Sequence, residues 1–372
     1  MSVRYQHGLV IGKFYPPHLG HLYLIQTAAR HCRQVTVVVM AADRESISLR
    51  QRVSWLRESL SEWPQVAVSG VVDNLPVDYH SDKIWSQQVA LMRAGVALAD
   101  AEVGRTPAKV DAVFSCEHYG AELARRFEAA DVRLDGERHL YPISGTAVRG
   151  DPAAYWEWLP ATTRAGLALR VVLIGAESTG KTTLARQLTK HFRSRGGAWA
   201  ASRMVAEYGR EYWVNRLALA RAELGREPAF SEISWDASEF VHIAHEQNRR
   251  EQQAAREGGP LLLCDTDAFA TSIWHERYLG LEEPPLDINP AKLPGRRCYL
   301  LCDVAGTPFV QDGWRDGEAI RDWMQGRFLA RLEQAHCNAF LLDGPLSLRL
   351  EQAINLIEAE LTAYWRFAAP PG

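Results

Sequence analysis

The chain has 372 residues, too many for one ordinary domain, so two domains are expected. With 47% hydrophobic and 23% charged residues it reads as a soluble globular protein, and a net charge of -3 offers no basic footprint for nucleic acid. The six cysteines, Cys32, Cys116, Cys264, Cys298, Cys302 and Cys337, contain no CxxC pair. With no signal peptide in view and no apolar run of spanning length, they read as free thiols of a cytoplasmic protein outside the membrane.

In chain order, the apolar runs GLVIG, QVTVVVMAA, VAVSGVV and VDAVFSCE alternate with amphipathic stretches. Val- and Ile-rich runs spaced in this way predict parallel strands joined by crossover helices. GHLYLIQTAARHC predicts a helix between the first two strands, and SLRQRVSWLRESLSEW a second one, opened by a serine cap. Asp-Pro, Leu-Pro and TTRAG then punctuate the chain before the strand LALRVVLIG starts the pattern afresh. The boundary is placed near Ala165, giving domains 1–164 and 165–372. The second half continues with a helix from Lys181, a short strand in AASRMVAEY and a long helix through ASEFVHIAHEQNRREQQAAREGG. The strands PLLLCD, RCYLLCD and AFLLDG complete a second α/β unit.

The segment GAESTGKT, Gly175 to Thr182, fits the pattern G-x-x-x-x-G-K-[ST] between an apolar strand and a helix. Backbone N–H groups from Gly175 through Ser178, Thr179 and Gly180 to Thr183 can curl around phosphates, aided by the helix N-terminus. Lys181 reaches the β/γ oxygens of ATP, and Thr182 offers a hydroxyl to Mg²⁺. Asp265, closing PLLLCD, is the matching carboxylate, holding Mg²⁺ partly through water. Glu207 in MVAEYGREYW is a candidate base for a substrate hydroxyl, and Asp267 is its rival. TPFVQDGWRDGEAIR suits a lid, with Arg315 and Arg321 as clamps.

His18 and His21 in GKFYPPHLGH invite a zinc reading, but His7, His31 and Cys32 are poorly spaced as further ligands. Beside a helix N-terminus, at the C-terminal edge of a parallel sheet, the imidazoles read better as donors to phosphate. This segment resembles the G-x-F-x-P-x-H-x-G-H signature of nucleotidylyltransferases, with Gly12 and Phe14 at its start. ISGTAVR, Ile143 to Arg149, resembles their second signature, I-S-x-T-x-x-R. The resemblance implies that Ser144 and Thr146 meet the ATP phosphates and that Arg149 pairs with them. It also implies a Rossmann-like nucleotidylyltransferase domain followed by a P-loop kinase domain, both with largely parallel sheets.

One such domain followed by one P-loop kinase is similar to the bifunctional NadR family, over nearly the whole chain. SCEHYG and EYGREY add local matches. That resemblance implies NAD salvage with ATP and Mg²⁺. The kinase half would make nicotinamide mononucleotide (NMN) from nicotinamide riboside, and the transferase half would turn it into NAD and pyrophosphate. Lys13 is an auxiliary candidate, Asp43 and Glu117 bear on adenosine or the nicotinamide riboside, and Trp85 is a stacking candidate or a core residue. Some relatives carry an N-terminal helix-turn-helix; this chain starts at the first strand, so repressor function is not expected. A link to a riboside transporter and self-association into a homo-oligomer stay open. The rival readings are a coenzyme A synthase-type transferase-kinase and an ATP/NAD-responsive regulator with one weakened site.

Overall fold

The computed structural model describes residues 4–229, 232–280, 288–310 and 318–371. The chain forms two compact units, one running through Thr163 and rejoined by the segment from Tyr364, the other Arg164–Ala363. The C-terminal segment, assigned by the sequence to the second domain, therefore packs within the first.

The first unit contains β1 (Tyr5–Gly12), α1 (Leu19–His31), β2 (Cys32–Ala41), α2 (Leu49–Ser59), β3 (Val66–Val72), α3 (Asp82–Glu102), β4 (Ala112–Ser115), α4 (Gly120–Phe127), β5 (Ala130–Arg133) and α5 (Gly145–Gly150). A short α6 (Ala161–Leu167) follows. The five strands are parallel, in the order β3-β2-β1-β4-β5. Alternate residues of β2 enter opposite cores. Val35, Val37 and Val39 pack with Ile25 and Ala28 of α1 and Leu56 of α2, whereas Val38 and Met40 pack with Trp85, Val89 and Met92 of α3. Burial on both faces is why this strand reads as an unbroken apolar run. Ser48 caps α2 as expected, its side chain accepting from the backbone N–H of Gln51.

The second unit contains β6 (Leu169–Ile174), α7 (Lys181–Arg193), β7 (Arg203–Val205), α8 (Tyr208–Leu224), α9 (Ala237–Glu257), β8 (Leu261–Asp265), α10 (Ala268–Leu279), β9 (Arg296–Cys302), α11 (Arg321–Gln334), β10 (Ala339–Leu342) and α12 (Leu346–Tyr364). Its strands are also all parallel, ordered β10-β9-β6-β8-β7, with β6 and β8 buried throughout. The protein is thus α/β in both halves. Among the described residues no helix is long and apolar enough to cross a membrane.

Candidate active sites

In the first sheet the strand order turns about β1 and β4, and ligands of such sheets bind beyond the carboxyl ends at that switch point. A cavity of about 470 Å³ lies there. Gly12, Lys13, Phe14, His18 and His21 line it from the first motif, and Ser144, Thr146 and Arg149 from the second. Glu117, two residues beyond β4, lines it as well, as does Trp85.

His18 caps α1 and its ring stacks on that of His21, centroids 3.6 Å apart. The His18 backbone N–H donates to His21 Nδ1 at 3.2 Å, so a neutral His21 carries its proton on Nε2, which is left free to donate. His18 Nδ1 is buried with no hydrogen-bond partner among the described residues. Burial, and then the Arg138 guanidinium, lower the His18 pKa to about 3. Burial and the adjoining His18 push His21 down as well. Both rings are therefore uncharged donors at neutral pH. Among the described residues no cluster of three metal-ligating side chains includes them.

The second motif locks onto the first. Arg149 Nη1 donates to the Tyr15 carbonyl at 2.6 Å, and Nη2 to Thr146 Oγ1 at 3.1 Å. A Cβ on Gly145 would stand 2.8 Å from that same carbonyl oxygen, a distance that explains the glycine in ISGT. Ser144 Oγ accepts from Ala147 N as the cap of α5, which leaves its hydroxyl hydrogen to donate. Lys13 Nζ sits 3.4 Å from Glu45, itself paired with the buried Arg52 at 2.6 Å. Asp43 does not line the cavity; it is tied to Asn74 at 2.8 Å.

In the second unit a cavity of about 350 Å³ opens over the loop between β6 and α7. Gly175 has φ 140°, and a Cβ there would lie 2.8 Å from the Cys302 carbonyl oxygen, so the loop's entry requires glycine. Lys181 Nζ donates to the carbonyls of Gly175 and Ala176 at 2.9 and 2.7 Å. Ser178, Thr179, Gly180, Thr182 and Thr183 line the cavity beside it. The pairing of Leu173 with Asp265 sets the end of β8 against the start of this loop. There Thr182 Oγ1 donates to Asp265 Oδ2 at 2.6 Å. Asp265 Oδ1 is buried and has no hydrogen-bond partner among the described residues. A hydroxyl beside a carboxylate with an unused buried oxygen is a donor set that fits a hard divalent cation.

The two candidate bases occupy different surroundings. Glu207, at the cap of α8, lines the cavity, and its pKa is raised to about 7 by burial, against the pull of Lys181 and with the help of Asp265. Asp267 caps α10. It is fully buried, accepts from Tyr299 Oη at 2.8 Å and pairs with Arg297 at 3.2 Å. It does not line the cavity. Of the lid arginines, Arg315 lies outside the described residues. Arg321 opens α11 and donates to the Thr307 carbonyl at 3.0 Å, away from the cavity wall.

Several wall residues escaped the sequence reading. Trp213, Trp235, Trp274 and Tyr278 form an aromatic side to the second cavity, with Trp213 and Trp235 stacked at 5.4 Å between ring centroids. The i,i+4 spacing of Trp274 and Tyr278 on α10 was the one available signal. Arg349 of α12 is buried and donates to the carbonyls of Thr179 and Asp303 at 3.1 and 3.0 Å, pinning the loop. In the first cavity Tyr15, Arg138 and Tyr141 were likewise unremarked.

Two family models match the chain, the C-terminal domain of citrate lyase ligase over residues 8–75 and the AAA domain over residues 170–349. Fold and sites define a two-unit protein, a nucleotidylyltransferase-like unit joined to a P-loop unit. The chain is similar to NadR proteins in sequence and in fold. It is 26% identical over 343 residues to the trifunctional NAD biosynthesis/regulator protein NadR of Escherichia coli (strain K12), covering 88% of this chain and 76% of that one. A crystal structure of a NadR protein in complex with NR shares the fold, with a TM-score of 0.59, 20% identity and 97% of each chain covered. A second, in complex with NAD and AMP-PNP, has a TM-score of 0.58 at 19% identity, covering 97% of this chain and 98% of that one.

Proposed function

We propose that this chain is a bifunctional NAD-salvage enzyme, phosphorylating nicotinamide riboside to NMN in the second unit and adenylylating NMN to NAD in the first. The observation that carries the reading is the composition of the second cavity. It joins a phosphate-binding loop to an aromatic wall, with a carboxyl group of pKa about 7 in the same cavity. A flat cationic pyridinium is well held by aromatic faces, and a riboside brings a hydroxyl to be phosphorylated. The NadR structure in complex with NR supports the substrate class, and the one in complex with NAD and AMP-PNP supports ATP as co-substrate.

In the kinase reaction Glu207 takes the proton of the riboside hydroxyl as that oxygen bonds the γ-phosphorus. The bond from the γ-phosphorus to the β,γ-bridging oxygen breaks, and ADP leaves. Lys181 and the loop N–H groups hold the phosphates in line. Thr182 and Asp265 would hold Mg²⁺, which neutralises phosphate charge when bound.

In the transferase reaction the phosphate of NMN attacks the α-phosphorus of ATP and pyrophosphate departs. The nucleophile is already anionic, so His18, His21, Ser144, Thr146 and Arg149 serve as donors to accumulating charge. Incubation with nicotinamide riboside, ATP and Mg²⁺, followed by chromatography, should yield NMN and then NAD. Turnover of dephospho-coenzyme A in place of the riboside would overturn the reading.

A further inference from the structure

The segment after α12 returns to the first cavity, where Pro370 forms part of the wall. It is bound there by a closed ring of hydrogen bonds. Tyr15 Oη donates to the Ala368 carbonyl at 3.0 Å, Ala368 N donates to Ser46 Oγ at 2.7 Å, and Ser46 N donates to Tyr15 Oη at 2.9 Å. Phe367 meets the Tyr15 ring edge-on at 6.1 Å.

Tyr15 is only 2% exposed, and two guanidinium groups lie over its ring, Arg52 at 4.2 Å and Arg149 at 4.7 Å from the centroid. Its carbonyl takes the Arg149 hydrogen bond described above. Both backbone groups of Ala368 are committed to this latch, and among the described residues the Tyr15 hydroxyl bonds only Ala368 and Ser46. The contact therefore runs from the C-terminal segment through one aromatic residue to the arginine of the second motif.

We propose that the segment Phe367–Pro370 belongs to the adenylyl-transfer site. It fixes Tyr15 as a positioning residue for Arg149 and closes one side of the cavity. This rests on the transferase reading above. A guanidinium displaced by an ångström loses most of its advantage toward a developing charge, so the effect should fall on turnover.

The test measures both half-reactions on the chain lacking residues 365–372 and on full-length Tyr15→Phe, which keeps the ring and removes the two hydrogen bonds of the latch that use the hydroxyl. In each, kcat for NAD formation is expected to fall about tenfold with KM for ATP changed by less than about threefold, while riboside phosphorylation is unchanged. A synthetic peptide of residues 364–372 should restore the truncated chain. NAD formation within about twofold of the parent in the truncated chain would overturn the proposal. So would a loss that the peptide does not restore while Tyr15→Phe stays fully active, because that pattern marks a purely structural role. If the parent itself makes no NAD from NMN while its kinase works, the transferase reading fails, and the proposal with it.

Discussion

In the first unit the two motifs face the cavity with uncharged imidazoles, Lys13 and the Arg149 guanidinium, whereas in the second Lys181 shares the cavity with a carboxyl group whose pKa is about 7. The contrast matches the two nucleophiles proposed. A phosphate monoester needs alignment and charge stabilisation, while a hydroxyl must lose a proton as it attacks. A base with a pKa near neutrality is the one that works best at neutral pH, and burial beside Asp265 is what raises Glu207 to that range. On the proposed function, the two sites differ chiefly in what each must do to its acceptor.

The sharpest way to break this contrast is to disable each site alone. Lys181→Ala is expected to lower phosphorylation by about 10³-fold and leave NAD synthesis from supplied NMN intact, with His21→Ala doing the reverse. Separate rates for the two half-reactions check this, and loss of both in either variant would argue against independent sites. Next in size is Glu207→Gln. Phosphorylation should drop by about 10²-fold and lose an acid limb centred near pH 7, a limb absent from adenylylation in the parent. Survival of the limb would place the base elsewhere.

Asp267→Asn should instead act on stability. Weakening its contacts with Arg297 and Tyr299 is expected to cost about 2–4 kcal/mol in urea unfolding. Turnover per folded molecule should stay near the parent's; a collapse of kcat at unchanged stability would restore Asp267 as the base.

The smallest effect is on pH dependence. Because the folded protein holds His18 near pKa 3, the unfolded chain binds a proton that the folded one refuses. Stability is therefore full above the ordinary histidine value of about 6.5 and declines as pH falls from there toward 3. Between pH 7 and 5 the loss attributable to His18 should be about 2 kcal/mol, read as the difference between the parent and His18→Gln. Identical pH profiles for the two would remove the claim.

Much of this architecture is legible along the chain. The runs around Val10, Val37, Val172 and Leu263 read as buried parallel strands because each is covered on both faces. Several elements escaped, β5 and α3 among them. The edge strand β5, ADVR, is largely exposed and has no apolar run to announce it. The helix α3 buries residues as unlike as Trp85, Gly95 and Asp100, so its periodicity is blurred. At the sites, the motifs were readable because short glycine-containing turns next to a strand have few alternatives. Trp213, Trp235, Arg349 and Tyr15 were not, since each acts across long sequence separations.

By itself the sequence determined two α/β units and a glycine-containing turn between strand and helix at the head of each, because local backbone geometry and apolar periodicity are properties of neighbouring residues. Only the tertiary structure decided which of two nearby acids faces the second cavity. Asp267 is buried in an ion pair with Arg297 while Glu207 lines the cavity; burial raises both carboxyl groups, so it is placement that separates their chemistry. It alone also brought the segment from Phe367 to Pro370 back to Tyr15, since a contact spanning nearly the whole chain leaves no periodic trace at either end.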